Sequence, residues 1–324
     1  MRVSFLFFID RKETKMKDFN FKRVVTHGTV FHADDVFGVA LCQLIASQQN
    51  HRDIKIIRTL EPEQYANDDT LIFDIGLGEY DHHQPDKALR PIEDGTYFGQ
   101  DGMEKQIPYC GFGLLWRDFG HILCPEQEAW KRVDRSLVLP IDMHDNGIKQ
   151  NLLSNCIKNF NPTWNVRASE DADAFETAGF YTAVTVALMT LRETIKQANA
   201  AVAAVEEIAS CYLTSPSEQI LLLDKYMPYL DAIRDIKYKD LLFVVYPSER
   251  GGWNVQTIPK APGSYKNRMD FPTDWLGHAD PDRGIHFAHT SNFLIACDTK
   301  EQAIKVAEEA IDIGSSEAKC VYSI

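Results

Sequence analysis

The sequence predicts an α/β protein in which a parallel-sheet domain comes first and a smaller α+β domain follows. Residues 21–75 show the order strand, helix, strand, strand, which is typical of a parallel sheet because parallel strands need a crossover between them. Helical spacing then dominates from residue 113 to about residue 212, and short strand-like runs return after about residue 225. The length of 324 residues also suits two domains of ordinary size.

The first domain opens with a strand at residues 21–25, followed by His27 and Gly28. Apolar residues then recur at intervals of three and four between Val36 and Ile45, which predicts an amphipathic helix. Two short apolar runs follow at residues 53–59 and 70–75. Because they are rich in isoleucine and bounded by Asn, Asp, Gly and Pro, we interpret them as buried strands.

The middle of the chain predicts helices at 113–141, with Pro125 at a first helical position, and from about 171 to 212. After it, two apolar runs around a Gly-rich turn at 247–252 predict a hairpin. Further strand-like runs and a final helix are expected at 285–289, 293–297 and 299–313. We place the domains at 21–224 and 225–324, and interpret residues 1–20 as a poorly ordered leader, with Met16 as an alternative start.

Composition and charge exclude several classes of protein. With 34 basic and 47 acidic residues the formal net charge is −13, which argues against a protein that coats duplex nucleic acid with a basic face. The seven cysteines form no C-x-x-C pair, so neither a disulfide framework nor a zinc ribbon is indicated, and we expect a cytoplasmic protein. No uninterrupted apolar run reaches the length of a membrane span, so no membrane partner is expected.

Acidic residues and histidines gather where the predicted strands end. His27, His32, Asp34 and Asp35 follow the first strand, Asp74 lies near the end of the strand at 70–75, and Asp81, His82 and His83 come soon after it. Open α/β sheets bind ligands at the carboxyl ends of their strands, so we expect these side chains to meet.

Such a mixture of imidazole and carboxylate suits divalent ions. It favours manganese, zinc or iron, whereas an all-oxygen set would suggest magnesium or calcium. Carboxylates gathered this closely repel one another unless cations lie between them, and two ions about 3.5–4 Å apart are a standard device for displacement at phosphorus. A two-metal site is therefore expected, although Asp34 and Asp35 could instead serve as N-terminal helix acids.

Several ordered motifs resemble one known family. The segments YDHHQ at 80–84, THGTVFHADD at 26–35 and DMHDNG at 142–147 resemble the melanocyte-proliferating-gene (Myg) exonuclease branch of the DHH phosphoesterase superfamily. The segments WNVQ at 253–256, PGSYKNR at 262–268 and HFAHTSNF at 286–293 resemble the same branch, so the resemblance runs from about residue 23 to the end. It implies a DHH-type metal domain followed by a substrate-binding domain.

The resemblance also implies metal ligands, with one departure from the superfamily pattern. That pattern usually separates two aspartates by one residue, whereas Asp34 and Asp35 are adjacent. We therefore favour His27 and Asp34, keep His32 as nearly equal, and rank Asp35 lower as a helix cap. The other expected ligands are Asp74 between the ions, Asp81, and a distal carboxylate from Asp142 or Asp145.

Catalytic and substrate-binding roles follow from the same resemblance. Of His82 and His83, one is expected to bind metal and the other, which we assign to His83, to contact a substrate oxygen or protonate the leaving group. In the second domain Arg268 is expected to grip a phosphate by a two-pronged hydrogen bond. Lys266, His289 and Ser291 are further candidates, with surface solvation as the alternative for Lys266.

The resulting hypothesis is a metal-dependent phosphodiesterase, a 3′→5′ exonuclease on RNA or short oligonucleotides, in which a metal-bound hydroxide attacks phosphorus. Two Mn²⁺ ions are expected, with Mg²⁺, Zn²⁺ or Fe²⁺ as alternatives. Cleavage of pyrophosphate or a small nucleotide, or a non-catalytic metal- or nucleotide-binding module, are the alternative functions. The partners would be RNA or oligonucleotide ends or small nucleotides, and a homodimer and a nuclear or organellar location are left open.

Overall fold

The structure is a computed structural model that describes residues 17–49, 54–234, 236–261 and 263–321. The chain divides into two compact units, one up to Asn199 and one from Ala200 onward. Most of the predicted leader, residues 1–16, lies outside the described residues. Its last residues belong to the fold, since Phe19 is buried and packs edge-on against Phe119 at a ring-centroid distance of 5.4 Å.

The first unit is built on a three-stranded parallel sheet, as the sequence predicts. Strands β1 (Arg23–His27), β2 (Lys55–Thr59) and β3 (Thr70–Ile72) have the order β2-β1-β3, and helix α1 (Ala33–Gln48) connects β1 to β2. This confirms the α/β class. A short antiparallel ribbon of β4 (Thr96–Phe98) and β5 (Glu104–Gln106) follows.

Helix α1 lies against the end of β3 because it has no side chain at Gly38. A Cβ atom at that position would be 2.3 Å from the ring of Phe73, which is itself fully buried just beyond β3. Such an approach is below any normal contact distance, so only glycine permits it. The contact brings the first turn of α1 close to the residues that follow β3.

Helices make up the rest of the first unit. Helices fill most of the stretch predicted to be helical at 113–141, but Pro125 does not occupy a first helical position: α2 ends before Cys124, and Pro125 precedes the N-cap Glu126 of the next helix. A π-helical turn at Asp134–Val138 joins the next two helices. The helices are α2 (Gly111–Leu123), α3 (Gln127–Val133), α4 (Leu139–Asp145), α5 (Leu152–Lys158), α6 (Trp164–Arg167) and α7 (Ala172–Leu213).

Helix α7 is long and apolar enough, by length and composition alone, to cross a membrane. Its qualifying 18-residue window has a mean hydropathy of 1.3 and is 28% buried. The buried residues Phe180, Ala183, Ala187 and Leu191 recur at intervals of three and four, which is the pattern of a helix with one face packed in a protein core. The absence of a membrane partner therefore stays a prediction.

The second unit begins earlier than the predicted boundary at residue 225. Its sheet has the order β6-β7-β8-β10-β9, and β6 lies before that boundary. Ala204 and Ile208, in the last turns of α7, also pack into a core of this unit. The sheet strands are β6 (Ile220–Leu222), β7 (Phe243–Pro247), β8 (Trp253–Thr257), β9 (Ile285–Ala288) and β10 (Leu294–Cys297).

The last helix, α8 (Lys300–Val321), packs on this sheet. Ala303, Val306 and Ala307 form one buried cluster with Val255 and Ile295 of the sheet. Strands β7 and β8 pair antiparallel, as the predicted hairpin requires. Strand β10 pairs antiparallel with both β8 and β9, whereas β6 pairs parallel to β7.

The contact between α1 and β3 can be tested by Gly38→Ala. The added methyl group would overlap the buried Phe73 ring, so we expect a loss of about 1–3 kcal/mol in the free energy of unfolding. Gly78→Ala is the matched control, because a Cβ there meets no described atom within 4 Å. Urea denaturation followed by circular dichroism measures both, and equal stability of the two variants would contradict the proposed contact.

Candidate metal centre

The predicted site residues of the first unit meet at the carboxyl ends of β1 and β3. His27 is the last residue of β1, and Asp74 follows β3 by two residues with a left-handed backbone (φ 56°). Asp34 and Asp35 occupy the first turn of α1. The loop with Asp81, His82 and His83 and the end of α4 with Asp145 complete an open pocket of about 480 Å³.

Asp74 lies between two histidines. Its Oδ2 atom is 3.3 Å from His27 Nε2, and its Oδ1 atom is 3.1 Å from His82 Nε2. Asp74 thus has one carboxylate oxygen near each histidine, and its expected place between two ions stays a prediction.

His27 and Asp35 lie on one side of Asp74, and the distance from His27 Nε2 to Asp35 Oδ2 is 3.4 Å. On the other side, His82 Nε2 is 3.2 Å from Asp145 Oδ2 and 3.6 Å from Asp34 Oδ2. Ligands at right angles around an ion and about 2.1 Å from it are about 3 Å apart, so these separations are those of atoms able to share an ion.

Two groups of three side chains have ligand atoms that all lie within 4.8 Å of one another, among the residues that the structure describes. One group is Asp74, His82 and His83, and the other is His32, Asp34 and Asp145. His32, which the sequence ranks almost equal to His27, is therefore also in reach of the cluster.

Buried acceptors without partners show that the cluster fits a cation. Within the described ranges, both oxygens of Asp34 and the Oδ2 atom of Asp35 are buried and have no hydrogen-bond partner. Leaving a carboxylate oxygen buried and unpartnered is costly, and a divalent ion would satisfy it.

The pKa values of the cluster reflect the same excess of negative charge. Burial opposes protonation of His82, but the carboxylates of Asp34 and Asp74 outweigh it and raise the pKa of His82 to about 10. Asp74 and Asp35 likewise raise the pKa of His27 to about 10 against the effect of burial. Burial and the charge of Asp34 raise the pKa of Asp145 to about 8. Cations or protons must therefore accompany these carboxylates.

Asp35 serves the helix with one oxygen and faces the cluster with the other. Its Oδ1 atom accepts hydrogen bonds from the backbone N–H groups of His32 and Val36, both at 2.8 Å. The cap role considered for Asp35 is therefore present, and its Oδ2 atom still points towards His27. The two readings of Asp35 do not exclude each other.

Asp81 and His83 form a pair at the mouth of the pocket. Asp81 Oδ2 accepts from Leu77 N at 2.7 Å, while its Oδ1 accepts from His83 N at 3.0 Å and from His83 Nδ1 at 2.6 Å. Despite burial, these hydrogen bonds keep the pKa of Asp81 below its usual value. The geometry therefore favours a role for Asp81 in holding His83, rather than the ligand role expected from the sequence.

The two adjacent histidines differ in access. The His82 side chain is 7% exposed and surrounded by carboxylates, whereas the His83 side chain is 56% exposed. With its Nδ1–H directed to Asp81, His83 leaves Nε2 for a ligand in the pocket.

The geometry separates the two distal aspartates on α4. Asp145 lines the pocket, but Asp142 is fully buried away from it, with Oδ1 accepting from Cys110 N at 2.9 Å and Oδ2 from Arg90 Nε at 2.6 Å. A Cβ at Gly113 would lie 2.2 Å from Asp142 Oδ1, so glycine is needed beside it. Asp142 is therefore a poor candidate for a metal ligand, and Asp145 is the better one.

Arg90 is an important residue that sequence reasoning missed. It is fully buried, and besides Asp142 it donates to Asp134 with two nitrogens at 2.7 and 2.8 Å and to Asp94 at 2.9 Å. Its two buried partners, Asp134 and Asp142, are 44 and 52 residues away in the chain, so no local motif reveals this network. Arg90 thereby fixes α4, which carries Asp145.

In the second unit, the predicted phosphate-binding Arg268 already has partners within the protein. Its Nη1 atom donates to the backbone carbonyls of Tyr238 at 2.7 Å and Leu241 at 3.0 Å, which does not favour the expected two-pronged phosphate contact. Lys266 and Ser291 are exposed, and Ser291 N donates to His289 Nδ1 at 3.0 Å. Their roles in substrate binding stay predictions.

Comparison with known proteins decides the family. Residues 23–311 match the family model MYG1_exonuc, which is described as an uncharacterised protein family (UPF0160). The chain belongs to the MYG1 exonuclease family. This confirms the resemblance inferred from the ordered motifs.

Named relatives cover most of the chain. Human MYG1 exonuclease is 28% identical over 89% of this chain and 85% of its own length. MYG1 exonuclease of Bos taurus is 27% identical, over 89% of this chain and 84% of its own. A MYG1 protein of Schizosaccharomyces pombe is 24% identical, over 90% and 98%. No solved structure matches the chain significantly.

Replacing Arg90 by Met should destabilise the first unit strongly. Three carboxylates would lose their cation, two of them buried, and removing one partner of a buried ion pair typically costs about 3–5 kcal/mol. Lys105→Met is the matched control, since Lys105 forms an exposed pair with Asp101 that should contribute less than about 1 kcal/mol. Denaturation midpoints compare the two, and similar losses would show that Arg90 does not hold this network.

Proposed function

We propose that this MYG1-family protein is a metal-dependent phosphodiesterase that acts as a 3′→5′ exonuclease on RNA or short oligonucleotides. The observation that carries the proposal is the cluster around Asp74, where buried carboxylate oxygens without partners face two histidines at the edge of a parallel sheet. Family members named as exonucleases support a nuclease activity. The RNA substrate and the polarity rest on the family resemblance.

In this proposal the cluster would hold two divalent ions, with Mn²⁺ favoured, and Asp74 would contribute to both sites. His27, Asp35 and Asp74 would hold one, while Asp34, His82 and Asp145 would hold the other with Asp74, and His32 lies in reach of Asp34. Such ions supply positive charge to the phosphate oxygens and lower the pKa of bound water. The arrangement of the metal domain is then of the DHH type.

The contacts of His83 support a role as proton donor. Asp81 holds its Nδ1–H at 2.6 Å, which fixes the ring orientation and leaves Nε2 directed away from Asp81. An aspartate that orients a histidine in this way is a recurrent device for general acid–base catalysis. We assign to His83 the protonation of the departing oxygen or a hydrogen bond to it.

The pocket suits the terminal nucleotide of a nucleic-acid chain. Its volume of about 480 Å³ falls in the range of small-molecule clefts, and Val30 and Leu77 give its rim an exposed apolar character. We infer that a terminal nucleotide enters, with the phosphodiester against the acidic cluster and the nucleoside against the apolar rim.

One assay tests this function directly. The purified protein is given Mn²⁺ and offered 5′-labelled RNA, 5′-labelled DNA and pyrophosphate separately. Stepwise shortening of RNA from its 3′ end is expected. Release of the label as a mononucleotide with no ladder of shortened products would contradict the polarity, and cleavage of pyrophosphate alone would replace the exonuclease proposal by the alternative phosphohydrolase.

Asp74→Asn should remove most bound manganese and lower activity at least 10²-fold, because the variant loses the charge shared by both sides of the cluster. Asparagine tolerates the left-handed backbone of this position, so the fold should be kept. Asp69→Asn is the control, because Asp69 is partly exposed and pairs with Arg23 outside the pocket. Metal content by elemental analysis is the measurement, and full occupancy in Asp74→Asn would disprove the assignment.

His83→Gln separates proton donation from metal binding. We expect kcat to fall by about 10²–10⁴-fold, the usual contribution of a general acid, while bound manganese stays within a factor of two. A leaving group that needs no proton, such as p-nitrophenolate in a thymidine 5′-phosphate ester, should restore most of the rate. Loss of metal in His83→Gln would instead make His83 a ligand, and His121→Gln serves as a control outside the pocket.

A further inference from the structure

The outward face of helix α7 carries large apolar side chains. Between Asp171 and Lys196, all within the first unit, Phe175 is 55% exposed, Met189 is 54% exposed and Tyr181 is 45% exposed. Large apolar side chains that gather on one exposed face mark an interaction surface.

The exposed residues form a regular stripe along α7. From Asp171 to Lys196, exposed residues recur at alternating intervals of four and three. This 3.5-residue spacing is that of a helix that pairs lengthwise with another helix. At 100° per residue the stripe lies opposite the buried face of α7, which includes Phe180, Ala187 and Leu191. The stripe is therefore free to meet a partner while the other face packs in the core.

Two threonines at the centre of the stripe satisfy their hydroxyl groups within the helix. Thr182 Oγ1 donates to Ala178 O and Thr185 Oγ1 donates to Tyr181 O, both at 2.8 Å. An interface can therefore cover these residues without leaving a buried hydroxyl group unpartnered.

The stripe matches a second copy of itself when the two helices run antiparallel. The alternating intervals are the same in both directions, so a two-fold axis level with residues 183 and 184 places every position of the stripe opposite another position of the stripe. Nearest the axis, Thr182 faces Thr185 of the second copy. One layer farther out, the small Ala178 faces the long Met189, a combination that lets the helices approach closely.

The two ends of the stripe carry opposite charges. In the same arrangement Asp171 faces Lys196 of the second copy, and Phe175 faces Arg192, whose guanidinium can lie over the ring. Within one chain Glu193 pairs with Arg192 at 3.6 Å and with Lys196 at 3.3 Å. Exposed pairs of this kind are weak, so both cations can turn to the second copy.

Two other arrangements fit less well. Parallel helices would place Asp171 against Asp171 and Lys196 against Lys196, and like charges repel one another across a helix pair. A membrane span would need an apolar surface on every side of the helix, whereas Arg192, Glu193 and Lys196 are exposed on α7.

We propose that two copies of this chain associate through this stripe, with their α7 helices antiparallel. The stripe is about 38 Å long at 1.5 Å per residue. Two such stripes bury on the order of 1,000 Å², at the lower end of specific interfaces, so we expect dissociation at about micromolar concentration. The proposal is independent of the nuclease function, because no residue of the stripe lines the pocket of the metal centre.

Ala178→Glu tests the interface in the full chain. Sedimentation over a range of concentrations should show a dimer that dissociates on dilution, and the variant should raise its Kd at least about 100-fold because a carboxylate would be buried against Met189. Ala178 is exposed within one chain and glutamate is a good helix former, so the fold should be kept. Phe98→Glu is the control, since Phe98 is a 76% exposed residue of β4.

Asp171→Lys and Lys196→Glu test the antiparallel register. Each variant alone would place like charges opposite each other at both ends of the stripe, which should weaken self-association about tenfold. An equimolar mixture of the two variants should instead associate as tightly as the unmodified chain, because opposite charges then meet at both ends. Sedimentation of the mixture and of each variant at the same total concentration measures this difference.

Several results would overturn the proposal. They are an unmodified chain that stays monomeric at about 100 µM, a dimer that Ala178→Glu leaves intact or that Phe98→Glu weakens equally, and a mixture that associates no better than its two components. A monomer that sediments with phosphatidylcholine vesicles, and no longer does so with Ala178→Glu, would assign the stripe to a membrane surface instead.

Discussion

Carboxylates buried side by side repel one another, and much of the first unit is arranged around this repulsion. One edge of the parallel sheet brings together Asp34, Asp35, Asp74 and Asp145. These carboxylates raise the pKa values of the neighbouring His27 and His82. The positive end of α1 lies beside Asp34 and Asp35 and offsets part of their charge. Farther from the pocket, the single cation of Arg90 neutralises the buried acids that hold α4 in place.

Two sequence features predicted much of this centre: the spacing of apolar residues and the acidic and histidine residues that follow the strands. Parallel pairing follows from short apolar runs separated by an amphipathic helix, and it brings the residues after β1 and β3 together whatever the loops between them do. The meeting of Asp74 with the acids and histidines that follow the strands could therefore be anticipated. The capping hydrogen bonds of Asp35 were also foreseeable, because an acid three residues after an N-cap position commonly reaches back to it.

The sequence was a weaker guide wherever a long-range partner decides the role of a residue. Asp142 and Asp145 share the same spacing, residue type and helix, yet Arg90 and Cys110 N engage the first and leave the second to the pocket. Arg268 resembles a phosphate ligand in isolation, but carbonyls far from it in the chain occupy its Nη1 atom. A bulge at His286, where β9 pairs with β10, depends on strand register, which residue types alone do not encode.

The left-handed backbone of Asp74 has an evolutionary consequence. A non-glycine residue held at a φ of 56° is under mild strain, and a glycine there would relieve about 1 kcal/mol of it. Selection for stability alone would therefore move this position towards glycine, whereas retention of the shared carboxylate opposes that change. A descendant of this chain that has lost its activity would no longer need the aspartate, and a single base change converts an aspartate codon into a glycine codon.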